Sequence, residues 1–117
     1  MIKRYTELVV WQKAMQLAKD VYRLSQQFPG EEKFGLTAQL RRAAVSVPSN
    51  IAEGQGRMSK GEFKQFLGHA RGSLYELETQ MHLANSFGYL NEEATDGLMA
   101  SSDEVGRLLN GLLVALK

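Results

Sequence analysis

Apolar positions recur at three- and four-residue intervals along nearly the whole chain, and no stretch alternates polar and apolar residues as a half-buried strand would. The spacing predicts four helices. The first covers about Thr6 to Gln27, with Leu8, Trp11, Met15, Ala18 and Tyr22 on one stripe and Val10, Ala14, Leu17, Val21, Leu24 and Phe28 on the next; Phe28-Pro29-Gly30 stops it. The second runs from about Phe34 to Glu53, turns Leu36, Leu40, Ala43, Val47 and Ile51 inward, and ends at Gly54-Gln55-Gly56. The third opens with Ser59-Lys60-Gly61-Glu62, a capping box in which the serine and glutamate side chains satisfy backbone donors at the helix start. It carries the most regular heptad of the chain, Phe63, Leu67, Ala70, Leu74, Leu77, Met81 and Ala84, and Gly88 ends it. The fourth begins at Asn91, with Glu92, Glu93 and Asp96 near the positive end of its dipole, and turns Ala94, Leu98, Val105, Leu109, Leu112 and Leu116 inward. Gly97, Gly106 and Gly111 each cost about 1 kcal/mol relative to alanine, and Ser101-Ser102-Asp103-Glu104 can cap a fresh start, which leaves open whether this helix is continuous. Four amphipathic helices on short connections imply an all-α, antiparallel up-down-up-down four-helix bundle, a single domain over residues 1–117.

The second helix carries a second apolar face. At about 100° per residue, Ala38, Val45 and Ala52 point away from the Leu36–Ile51 stripe, and between Leu36 and Ala52 the charged residues are Arg41 and Arg42. Such a helix is either central in an asymmetric bundle or buried on its far side by another subunit. A four-helix bundle has no second core for that far face. Ala38, Arg41, Arg42, Val45 and Ala52 are therefore the candidate subunit interface. Pro48 lies within the same pattern and cannot donate to the carbonyl four residues earlier, which predicts a kink or local break. Ser46 and Ser49 are placed to satisfy the freed groups, and Ala43, Ala44, Ser49 and Ala52 are small enough to admit a close helix.

Composition narrows the chemistry. With 117 residues the chain suffices for one core, and with no cysteine it offers no disulfide, thiol nucleophile or zinc–thiolate site. No apolar run approaches the roughly 18 residues of a membrane span, and the first residues lack a signal-type apolar stretch, so a cytoplasmic protein without membrane contact is expected. The net charge of +1 is unevenly spread: residues 1–58 hold nine Lys or Arg against five Asp or Glu, and residues 59–117 hold five against eight.

A di-iron centre, frequent in four-helix bundles, needs Glu-x-x-His pairs. His69 and His82 both lie on the third helix, and neither has a glutamate three residues before it. We expect no metal or organic cofactor to copurify. Elemental analysis of the purified protein checks this, and a stoichiometric transition metal would contradict it. Gly54-Gln55-Gly56-Arg57 is a weak phosphate-loop signal, since no strand precedes it and Gly61-Glu62-Phe63 stands where Gly-Lys-Ser/Thr would be needed. Glu53 or Glu76 is expected to form a partly buried ion pair with Arg41 or Arg42. The directional charge pattern is Arg57, Lys60, Lys64 and Arg71, which fall within about 60° of one another on a helical projection. This basic ridge reads either as a solvated helix face or as a surface that tracks phosphates, with Tyr75 the one ring on it, so that base stacking or sequence reading is not implied by the sequence.

The run Gly35-Leu36-Thr37-Ala38-Gln39-Leu40-Arg41-Arg42-Ala43-Ala44-Val45-Ser46-Val47-Pro48-Ser49-Asn50-Ile51-Ala52-Glu53-Gly54, followed by Gly72-Ser73-Leu74-Tyr75-Glu76-Leu77 and preceded by Leu8-Val9-Val10-Trp11-Gln12-Lys13-Ala14, resembles the four-helix-bundle proteins encoded in intervening sequences of bacterial large-subunit ribosomal RNA genes. The resemblance covers nearly the whole chain. It implies an antiparallel bundle that assembles as a ring-shaped homopentamer, and it supplies no established catalytic activity or cofactor, so no site residues carry over from it. That family is also similar to the accessory variability protein of diversity-generating retroelements, a strongly basic pentamer that binds nucleic acid and a reverse transcriptase. This chain departs from that protein in being nearly neutral, with third and fourth helices that taken together are acidic. The functional expectation is a non-enzymatic, oligomeric protein whose basic residues meet RNA or DNA. The alternative is a scaffold that engages another protein, with no nucleic-acid role.

Overall fold

Side chains that can accept from free backbone amides set two of the four helix starts. In the computed structural model, which describes residues 4–116, Ser59 Oγ accepts from the Glu62 amide (3.1 Å) and Asn91 Oδ1 from the Ala94 amide (2.8 Å), opening α3 (Lys60–Ser86) and α4 (Glu92–Ala115). The capping box of α3 is only half formed, because the Glu62 carboxylate accepts from the Ser59 hydroxyl (3.3 Å) and not from a backbone amide. The first helix starts later than the stripe predicts. Tyr5–Glu7 is one 3-10 turn, Leu8 is extended, and α1 runs Val9–Ser25. A second 3-10 turn, Gly30–Glu32, leads to α2, Leu36–Gln55. At Gly88 the backbone takes φ 81°, a left-handed conformation that glycine adopts without strain, and the chain leaves α3 there.

Directions follow from contacts between helices. Lys13 of α1 pairs with Glu104 of α4 at 3.7 Å, while Leu24, further along α1, shares a cavity wall with Ala94, earlier on α4. Arg71–Asn110 and Glu78–Ser102 set the same opposition for α3 and α4, and Ser46–Ser73 with Gly54–Phe66 for α2 and α3. Sequence neighbours are spatial neighbours, α4 closes against α1, and the diagonal pairs bring no Cα atoms within 8 Å among the described residues. The result is the up-down-up-down antiparallel bundle, 43 Å long, about the length of the 27-residue α3 at 1.5 Å per residue.

The inward stripes meet as the periodicity requires. Leu17, Val21, Leu40, Val47, Ile51, Leu67, Leu74, Leu77, Met81, Val105 and Leu109 are essentially inaccessible. The α2–α3 pair makes the most extensive contact, and Gly54 explains the closeness at one end. A Cβ built there would lie 2.6 Å from Phe66 Cβ and 3.1 Å from Phe63 Cδ1.

Neither place where the sequence offers an interruption breaks its helix. α2 continues through Pro48, whose ring is buried. Nearby, Asn50 Nδ2 donates to the Ser46 carbonyl (2.8 Å) and Ser46 Oγ meets Ser73 Oγ (2.7 Å), so hydrogen bonds within α2 and to α3 hold this stretch; Ser49, the other residue expected to help, faces out. α4 is likewise unbroken at Ser101–Glu104. Ser102 is fully buried and donates to the Glu78 carboxylate of α3, so its hydroxyl is spent on a neighbouring helix and not on capping a new start.

Two turns at one end of the bundle are tied by one residue. Glu32 accepts from the Leu36 amide (3.0 Å) through one carboxylate oxygen and from the Tyr89 hydroxyl (3.0 Å) through the other, joining the α1–α2 turn to the α3–α4 turn. Burial, with the Glu32 carboxylate beside it, raises the Tyr89 phenol above its ordinary value and keeps it a donor.

Candidate phosphate-binding groove between α3 and α4

The predicted basic ridge divides in the structure. Lys60 opens α3 and is exposed, and Lys64 and Arg71 follow on the flank of α3 that faces α4. Lys64 and Arg71 join Asn110, Leu113 and Val114 of α4 around a cavity of about 360 Å³. The Arg71 guanidinium donates to Asn110 Oδ1 at 2.9 Å, which holds it at the mouth of the groove with further N–H groups available. None of Lys60, Lys64 and Arg71 is in an ion pair among the described residues.

Arg57 does not belong with them. It precedes α3, so the helical projection that aligned it does not apply. Its guanidinium stacks 4.6 Å from the centre of the Phe66 ring and lies 3.8 Å from Glu53 Oε2, on a different flank of α3 from Lys64. Glu53 thus pairs with Arg57 and not with Arg41 or Arg42, and Glu76 is exposed without an ion pair among the described residues. Arg41 also departs from expectation. It donates to Ser25 Oγ (2.9 Å) and the Tyr22 carbonyl (3.2 Å) and packs on the Tyr22 ring, so it braces α2 against α1.

Two polar residues that α4 gives the groove, Asn110 and Arg107, escape the sequence. Asn110 lines the 360 Å³ cavity and also a second one, of about 220 Å³, shared with Tyr75, Glu78, Ser102, Asp103, Gly106 and Arg107. Arg107 adds a cation without an ion pair among the described residues. Arg107, Asn110 and Val114 recur at helical spacing, but only the packing shows that this flank meets α3.

The other candidate surfaces are of different character. On α2, Val45 is 43% exposed, Ala38 and Ala52 are half-buried and Arg42 is exposed, so the bundle does not bury the far face of this helix. A cavity of about 410 Å³ between α1 and α4 is rimmed by Asp20, Arg23 and Glu93 over a floor of Leu24, Ala94 and Leu98; its carboxylates disfavour phosphate. His69 and His82 are exposed, His69 with its ring edge against Phe66, and among the described residues no three His, Asp or Glu side chains are grouped to hold a metal ion. No helix among the described residues is long and apolar enough to cross a membrane.

A solved structure of similar fold is that of a protein of unknown function from the S23 ribosomal protein family of Bacteroides thetaiotaomicron, with a TM-score of 0.81 and 23% identity over 90% of this chain and 98% of that one. No curated protein matches the chain. The family model of the 23S rRNA-intervening sequence proteins matches residues 6–111, so that this bundle, with its Arg-Arg-Ala to Glu-Gly second helix, belongs to the 23S rRNA-intervening sequence protein family.

Proposed function

We propose that this chain is a non-enzymatic, cytoplasmic binding protein that assembles into a ring-shaped homopentamer and holds nucleic-acid phosphates along α3. The observation that carries the reading is the strip Lys60–Lys64–Arg71, three cations without ion-pair partners among the described residues, of which Lys64 and Arg71 line a groove whose opposite wall supplies Asn110. Free cations lining a concave surface gain from releasing the counterions condensed on a phosphate chain. The family's link to ribosomal RNA intervening sequences supports an RNA or DNA partner. A net charge of only +1 makes single-subunit binding weak, and a ring repeats the strip once per subunit, so avidity supplies the affinity.

Mobility shift across a salt series tests this. Each phosphate neutralised contributes roughly −0.9 to the log–log salt slope for duplex DNA and about −0.7 for single strands. Changing Lys60 and Lys64 together to Gln should weaken binding and flatten the slope, with little change in sequence preference, because phosphate contacts position a protein without reading bases. Lys19→Gln, on the exposed side of α1, should do less. Absence of binding at low salt, or an equal loss from the Lys19 variant, would leave the strip a solvated face. The second reading, a protein scaffold, rests on the acid-rimmed α1–α4 cavity, which suits a basic partner segment.

A further inference from the structure

We infer that the α3–α4 groove takes single-stranded nucleic acid, with a base stacked on Tyr75 and its phosphates at Lys64 and Arg71. This rests on the phosphate-binding reading above and adds what the strand must be. The groove has two chambers joined at Asn110, which lines both. One is bounded by the cations Lys64 and Arg71. The other is bounded by the Tyr75 ring, by Arg107, and by the carboxylates Glu78 and Asp103.

That division of charge orients a nucleotide. Phosphate is attracted to the first chamber and repelled by the carboxylates of the second, so the part of a nucleotide that enters the second is the uncharged base. Tyr75 is 53% exposed, one helical turn beyond Arg71, and neither its hydroxyl nor its ring has a hydrogen-bond or ring partner among the described residues, so the side chain is free to meet a ligand. The Asn110 carboxamide spends its oxygen on Arg71 and keeps its N–H donors for a base edge. Along α3, Lys64 and Arg71 lie about 10 Å apart, close enough for both to reach one short stretch of backbone. A base within a duplex has both faces covered by its neighbours, whereas an unpaired base can leave the stack and lie on an aromatic side chain. A half-exposed ring beside cations along a groove between two helices is therefore useful to a single strand and idle against a duplex.

The test is fluorescence anisotropy of the full chain with a labelled oligouridylate and, in parallel, a fully paired hairpin of equal phosphate count. The single strand should bind at least tenfold more tightly. Tyr75→Ala should lower single-strand affinity on the order of tenfold, with the salt slope unchanged, and Tyr75→Phe should stay near the unmodified protein because it keeps the ring. The Lys64→Gln, Arg71→Gln pair should instead flatten the salt slope for both ligands. If the hairpin binds as tightly as the single strand, or Tyr75→Ala matches the unmodified protein while the cation pair still loses affinity, phosphate binding stands and the single-strand inference is overturned. If neither ligand binds, both fail together.

Discussion

Gly54→Ala should destabilise the bundle although it improves the helix propensity of α2. Propensity favours alanine by about 1 kcal/mol in a helix interior. Against this stands the 2.6 Å approach of the new methyl to Phe66 Cβ, a contact between two atoms held by backbone that no rotamer change relieves, with Phe63 Cδ1 at 3.1 Å behind it. Overpacking of a closed core costs typically about 1–3 kcal/mol, and here α2 and α3 must separate where they are closest. The sign is therefore a loss, read as a lower urea midpoint at unchanged m-value. Gly72→Ala supplies the contrast: its site is exposed, a Cβ meets nothing within 4 Å, and the same propensity term should raise the midpoint. Equal shifts at the two positions would show that the close approach at Gly54 has no energetic weight.

Val45→Asp should dissociate the assembly into monomers at micromolar concentration while leaving helix content nearly unchanged. Val45 is 43% exposed at the centre of the outer face of α2, between half-buried Ala38 and Ala52, so the bundle itself does not need the valine. A carboxylate in a subunit interface loses its hydration without a guaranteed partner, and that desolvation cost exceeds what the small apolar face contributes. Light scattering reads the mass and circular dichroism the helix content. Unmodified protein that scatters as a monomer, or a variant that loses its helices along with its assembly, would remove the proposed interface. Arg41→Ala is a poor substitute for this test, since it also cuts the brace to Ser25 and Tyr22.

The number of helices, their order and their inward residues were legible in the sequence. The α3 heptad from Leu67 to Ala84 is buried at each position, and the serine and asparagine caps place two helix starts within a residue. Periodicity and capping are local properties, repeated every turn, so a chain carries them openly. Boundaries without a local cap were less legible: α1 has no side-chain cap and starts at Val9, after a 3-10 turn that the stripe counted as helix.

What the tertiary structure decided is where side chains go once helices meet. Pro48 reads as a kink or break, and Ser101–Glu104 leaves the continuity of α4 open, because sequence shows the missing donor and the available cap, but not the hydrogen bonds that neighbouring helices draw on: Ser46 to Ser73, and Ser102 to Glu78. The ridge assembled by helical projection lost Arg57 to Phe66 and Glu53 and gained Asn110 and Arg107 from a helix some forty residues away in the chain. A projection places residues around one axis, whereas a groove belongs to two. Which flank of α4 faces α3 depends on how four apolar stripes pack at once, a balance over the whole core that no single stretch of sequence contains.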